Sequence, residues 1–147
     1  MAVAFYTEAV RWPSFLKKRR LGDWMRDVAA GYGKQIGAVA CLFCTEEKIL
    51  EVNRRFLQHD YYTDVITFDY SDGDRIAGDI YISPDTVRSN AEQFGTAFSE
   101  ELLRVMIHGI LHLCGLKDTT AEEQSEMTLA ENGALALFFR EEKAGER

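Results

Sequence analysis

Hydrophobic positions along the chain recur with two different periods, and the switches between them divide it into elements. Ala2–Tyr6 is short, apolar and aromatic and suits a strand, whereas Leu21, Trp24, Met25, Val28, Ala29 and Tyr32 recur every three or four residues and predict a helix over roughly 14–31, ended by Gly33. Gln35–Cys44 (QIGAVACLFC) reads as a buried strand. Thr45, followed by Glu46 and Glu47, caps a helix over about 46–57, because the hydroxyl can accept from an open amide and the acids complement the positive end of the helix dipole. VITFDY at 65–70 and GDIYIS at 78–83 read as two strands, and Ser71-Asp72-Gly73-Asp74 between them suits a hairpin. Pro84 opens a helix that Gly95 closes, and Ser99 caps SEELLRVMIHGILHLC, with Gly115 just past its end. Thr120 and Glu123 form a capping box for a last helix running towards Arg140.

The resulting order, β-α-β-α-β-β-α-α-α, predicts an α+β fold: a mixed sheet of about four strands covered by about five helices, with SEELLRVMIHGILHLC central. At 147 residues, 46% hydrophobic and 28% charged, without repeats or a linker, the chain is expected to form a single domain over 1–147. No apolar run approaches the roughly 18 residues needed to span a bilayer. MAVAFYTEAVRW carries Glu8 and no basic segment ahead of an apolar one, so it is not expected to be a signal peptide. Cys41, Cys44 and Cys114 are too few for a disulfide framework, which fits a reducing compartment and a cytoplasmic protein. Cys41 and Cys44, inside one β-run, should point to opposite faces as small buried hydrophobes.

The net charge of −7 argues against a protein that coats nucleic acid by charge alone. The charge is unevenly spread: residues 1–60 carry 10 basic and 7 acidic side chains, and residues 61–147 carry 7 and 17. Lys17-Lys18-Arg19-Arg20 is the strongest cationic run and the best candidate for a phosphate-backbone contact, against the plainer reading of a solvated helix start.

Chemistry concentrates at His108 and His112, four residues apart and therefore on one helix face. Apart from these two and its glycines, the stretch Val105–Leu116 is apolar or Cys, so two imidazoles there need satisfying partners, and a metal would satisfy both. Gly115 can reverse the chain and return Asp118 towards them, making a three-point site of catalytic type with an open position. Such a set suits zinc, and also iron, nickel or manganese. Zinc proteases place Glu directly after the first His as general base; here Gly109 stands there, which disfavours proteolysis and is expected to leave room for a bulky substrate.

HGILHLCGLKD at 108–118 resembles the H-G-x-L-H-L-x-G-x-x-H signature of the YbeY group of metal-dependent endoribonucleases, also called rRNA maturation factors. NRRFLQHDYYTDVITF at 53–68 is similar to that family's L-N-x-x-Y-R-x-x-D-x-x-T-D-V-L-S-F block, with Asn53, Asp60, Thr63, Asp64, Val65 and Phe68 in step, and Gly78-Asp79-Ile80 resembles its G-D-I. The resemblance implies that His108 and His112 are two of three zinc ligands, with Asp118 where the family has a third His. It raises Thr63, Asp64 and Asp79 to candidate site-lining groups. The family arginine three residues before the Asp of the second block is replaced by Leu57, and Arg54 or Arg55 is the candidate to supply that charge to phosphate. His59 reads as a loop histidine and Met127 as core.

The expected function is a single-strand-specific endoribonuclease acting in small-subunit rRNA 3′-end maturation and ribosome quality control. Its partners are rRNA and the small ribosomal subunit with its assembly factors, with no membrane and no DNA. The alternatives are a non-catalytic ribosome-assembly or RNA-binding factor with a structural metal and, more remotely, an iron oxygenase using two His and one carboxylate.

Overall fold

The structure, a computed structural model, describes residues 3–57 and 63–145. Along the chain come β1 (Val3–Thr7), α1 (Lys18–Gly31), β2 (Gln35–Phe43), α2 (Glu46–Phe56), β3 (Val65–Asp69), β4 (Arg75–Ile82), α3 (Pro84–Phe94), α4 (Phe98–Leu113) and α5 (Ala121–Gly145). The strands form one sheet in the order β1-β2-β4-β3; β2 is parallel to both β1 and β4, and β3 is antiparallel to β4. The predicted α+β architecture, with its mixed four-stranded sheet, is what forms. His59 and Asp60 lie outside the described residues, as does Ala2 at the start of the first predicted strand.

Alternation along the strands divides the interior into two layers. On one face Cys41, Phe43, Ile76, Ile80 and Ile82 meet Leu21, Trp24 and Met25 of α1 and Leu102, Met106, Ile107 and Ile110 of α4. Val87 of α3 and Met127, Leu135 and Phe138 of α5 close the same core. On the other face Cys44, Ile49, Val52 and Ile66 pack beneath α2 with Phe68 and Tyr81. Cys41 and Cys44 therefore sit in opposite layers, both buried free thiols.

Three boundaries differ from the pattern-based expectation. α1 starts at Lys18, not near residue 14. The indole N–H of Trp12 donates to the Leu16 carbonyl at 2.8 Å, and its ring stacks on Phe43 at 4.8 Å, so these hydrophobic residues pack as an irregular loop. α4 is capped at Ala97 without a side-chain bond, which places Ser99 inside its first turn. β4 begins at Arg75, three residues before Gly78, because the hairpin turns tightly through Gly73 (φ +60°). Other caps match expectation. Thr45 accepts from Lys48 N at 3.2 Å, and Thr120 and Glu123 exchange bonds of 3.0 and 3.1 Å.

α4 lies unusually close to β4. A Cβ on Gly109 would run into three side-chain atoms of Ile80, and one on Gly78 would meet the Phe68 carbonyl and Leu113. The missing side chain at Gly109 is thus filled by Ile80 and does not open space for substrate, which corrects that expectation.

Candidate metal centre

The site grows from the C-terminal end of α4. The Leu116 amide donates to the Leu111 carbonyl at 3.1 Å and the Gly115 amide to the His112 carbonyl at 2.9 Å, the paired bonds of a Schellman ending, which needs the positive φ of Gly115 (+105°). The reversal turns the Leu116 carbonyl back over the helix end, where it accepts from His112 Nδ1 at 2.9 Å. It also returns Asp118, whose Oδ2 lies 3.3 Å from His108 Nε2 and 3.3 Å from His112 Nε2. His108, His112 and Asp118 are the group among the described residues whose donor atoms all fall within 4.8 Å of one another.

Hydrogen bonding sets the tautomers. A carbonyl oxygen only accepts, so His112 Nδ1 carries the proton and Nε2 presents a lone pair. His108 Nδ1 lies 2.7 Å from Glu131 Oε2 and donates to that carboxylate, so that in the neutral ring Nε2 carries the lone pair. Two lone pairs and an anionic oxygen then face one point, a set of acceptors that a cation satisfies and that suits a metal ion.

Glu131 had no signal in the sequence reading: it is one acid in a helix rich in them, distinguished only by being buried in the fold. Arg104 donates to Glu131 Oε1 at 2.9 Å and to Asn132 Oδ1 at 2.8 Å. Burial pulls His108 towards its neutral form, but the Glu131 hydrogen bond and the charges of Glu131, Asp118 and Asp64 outweigh it and hold the imidazole above its ordinary range. Burial likewise opposes the Glu131 charge, and its bonds to His108 and Arg104 prevail, keeping the carboxyl below the usual glutamate range.

The triad faces a cleft of about 510 Å³ whose opposite wall is Thr63, Asp64 and the inward side chains of β3, Val65, Thr67 and Asp69. Asp64 and Thr63 are thus beside the histidines, with Asn90 Nδ2 donating to Asp64 Oδ2 at 3.5 Å. Asp79 lies on the face of β4 opposite Ile80, beside Tyr81 and away from the cleft. Arg54 and Arg55 line a different concavity on α2, with Glu47, Leu50 and Glu51, and the structure does not bring them into the cleft. The basic run at 17–20 is divided: Lys17, Lys18 and Arg19 are exposed, while the Arg20 guanidinium lies over the Phe138 ring and donates to the Phe138 carbonyl. Among the described residues no helix is long and apolar enough to cross a membrane.

A family model described as endoribonuclease YbeY matches residues 11–138. The chain is 59% identical over 137 residues to the endoribonuclease YbeY of Bacteroides thetaiotaomicron, covering 93% of this chain and 99% of that protein. It is 58% identical over 136 residues to that of Phocaeicola vulgatus, covering 92% and 98%. A solution structure from Thermotoga maritima superposes with a TM-score of 0.70 at 27% identity, covering 97% of this chain and 93% of the other. With Thr63, Asp64, Val65 and Thr67 of one signature block facing His108, His112 and Asp118 of the other across a cleft, the chain belongs to the endoribonuclease YbeY family.

Proposed function

We propose that this protein is a metal-dependent endoribonuclease that hydrolyses phosphodiester bonds in single-stranded RNA, with His108, His112 and Asp118 as metal ligands. The convergence of two Nε2 lone pairs and Asp118 Oδ2, with both Nδ1 atoms already engaged, carries the reading. A divalent ion held there supplies the positive charge that polarises a phosphoryl oxygen. Asp118, standing where the family has His, adds negative charge to the ligand set and lowers the Lewis acidity that three imidazoles would give. Zinc suits the set best, with nickel, iron and manganese as its competitors.

The chain's own groups do the rest. Thr63 and Thr67 offer hydroxyls on the cleft wall to a sugar or phosphate, and Asp64 is a carboxylate able to accept a hydrogen bond from a ribose hydroxyl. Arg54 and Arg55, on α2 outside the cleft, are assigned to the backbone of a longer RNA. Structural metal sites are closed; here the Asp118 side chain is 41% exposed and His112 28%, which favours a catalytic role over the non-catalytic alternative. The substrate assigned is rRNA near the 3′ end of the small-subunit RNA, met in the cytoplasm with the small subunit and its assembly factors.

The test is elemental analysis of protein purified without chelators, followed by cleavage of precursor rRNA with the metal stripped and restored. Stripping should abolish cleavage and restoration recover it, with DNA of the same sequence uncut. Undiminished cleavage by metal-free protein would overturn the assignment. Co-sedimentation with small subunits tests the partner.

A further inference from the structure

We infer that Glu131 is a positioning residue for the metal centre, and that Arg104 holds it in place: together they fix which nitrogen of His108 faces the cleft. The inference rests on the metal reading above and extends it from α4 to α5.

The two histidines reach the same orientation by different means. His112 is held by a carbonyl four residues along its own chain, a local device that the Schellman ending supplies wherever α4 folds. His108, in the middle of α4, has no such neighbour, because every nearby carbonyl is engaged in the helix. Its partner comes from 23 residues away, Glu131 Oε2 at 2.7 Å. The second oxygen of that carboxylate accepts from Arg104 Nη1 at 2.9 Å, and the arginine's other branch is fixed by Asn132 at 2.8 Å. Both carboxylate oxygens are thereby engaged, and Glu131 itself is only 8% exposed. Held by His108 at one oxygen and by the charge-assisted Arg104 bond at the other, the carboxylate cannot turn away from His108 without breaking one of the two.

A buried carboxylate between two helices could serve only to tie α4 to α5. Two features argue for more. The carboxylate makes its shorter contact, 2.7 Å against 2.9 Å, with the ring nitrogen opposite the cleft, and a ring whose distal nitrogen is free would sample both tautomers and both flips, presenting N–H to the cleft in one of them. Ligand histidines depend on such a partner for orientation and basicity, typically about 10–100-fold in metal affinity.

The experiment compares wild type, Glu131→Gln and Glu131→Ala as full chains, using Zn²⁺ in competition with a colorimetric chelator and nitrogen NMR of the histidine rings in metal-free protein. Wild type should show His108 protonated at Nδ1. Glu131→Gln, which keeps an acceptor oxygen in a similar shape, should retain the tautomer and lose roughly 10-fold in Zn²⁺ affinity, whereas Glu131→Ala should mix the tautomers and lose closer to 100-fold. Arg104→Ala should fall between wild type and Glu131→Ala. If Glu131→Ala does not fold, Glu131→Gln and Arg104→Ala carry the comparison. Variants with lowered melting temperature but wild-type tautomer and Zn²⁺ affinity would show a purely structural tie and overturn the inference. A wild type that binds no Zn²⁺, Ni²⁺, Fe²⁺ or Mn²⁺ would instead overturn the metal reading itself.

Discussion

Gly109 on α4 and Ile80 on β4 are packed so closely that a Cβ on the glycine would sit 2.8 Å from Ile80 Cδ1 and 2.9 Å from its Cγ2. This contact sets the height of the metal-binding helix over the sheet, and with it the distance from His108 and His112 to the cleft wall on β3. Gly109→Ala should therefore destabilise the protein by about 1–2 kcal/mol, an overpacking cost of ~1–3 kcal/mol partly offset by the better helix propensity of Ala. Urea unfolding measures it. Adding Ile80→Val, which removes Cδ1, should recover part of the loss; a Gly109→Ala protein as stable as wild type would show that the helix shifts freely.

Asp118 stands where the H-G-x-L-H-L-x-G-x-x-H signature that this chain resembles has its third His. Asp118→Ala, leaving two ligands, should weaken metal binding by at least about 100-fold, more than loss of a supporting partner typically costs. Asp118→His should retain tight binding with one negative charge fewer. Isothermal titration with Zn²⁺ ranks the three proteins, and unchanged affinity in Asp118→Ala would remove this residue from the ligand set.

Metal should also stabilise the fold, since a site assembled from α4 and the loop after it exists only in the native state. At free metal 100 times its dissociation constant the gain is about 2.7 kcal/mol. Thermal unfolding with and without chelator should show a corresponding drop in melting temperature, and the drop should vanish in His112→Ala.

The cysteines should behave as packing groups. Burial pushes Cys41 and Cys44 up to about 12 and Cys114 to about 11. A thiol whose folded pKa lies above its unfolded value near 9 contributes stability that is complete below pH 9 and is lost as pH rises towards the folded value. All three should resist iodoacetamide at pH 8 in the native protein and react on unfolding, and alkaline unfolding should steepen above about pH 9. Rapid native alkylation of Cys41 or Cys44 would reopen a redox role.

Arg54 and Arg55, if they hold the RNA backbone, should act on binding alone. Each replaced by Ala should raise KM with kcat unchanged and reduce the magnitude of the log-log salt slope by about 0.7. Cleavage kinetics on a single-stranded substrate at several salt concentrations decide the matter, and unaltered KM and slope in both variants would assign the pair to a solvated helix face.

Much of this protein is local and was legible in the chain. The strands and helices follow from hydrophobic period, and Thr45, Gly95, Thr120 and Glu123 end or begin helices through bonds within a few residues. The triad belongs here too. His108 and His112 are one turn apart, and the Gly115 reversal that returns Asp118 spans only four residues of backbone. What period misplaced was the segment just before α1: Leu16, inside the predicted helix, is buried in the core, but its carbonyl accepts from the Trp12 indole in an irregular loop and α1 starts only at Lys18.

Tertiary structure alone decided the rest. Glu131 and His108 are 23 residues apart, and nothing separates that acid from its exposed neighbours until α5 lies on α4 and buries it. Gly109 read as open space beside a metal because a missing side chain looks the same in a sequence whether solvent or Ile80 takes its place. Spacing along a helix fixes which side chains can share a point, since backbone geometry is the same in every helix. Which partners orient them, and what fills the gaps around them, depends on contacts between elements that only the packed sheet brings together.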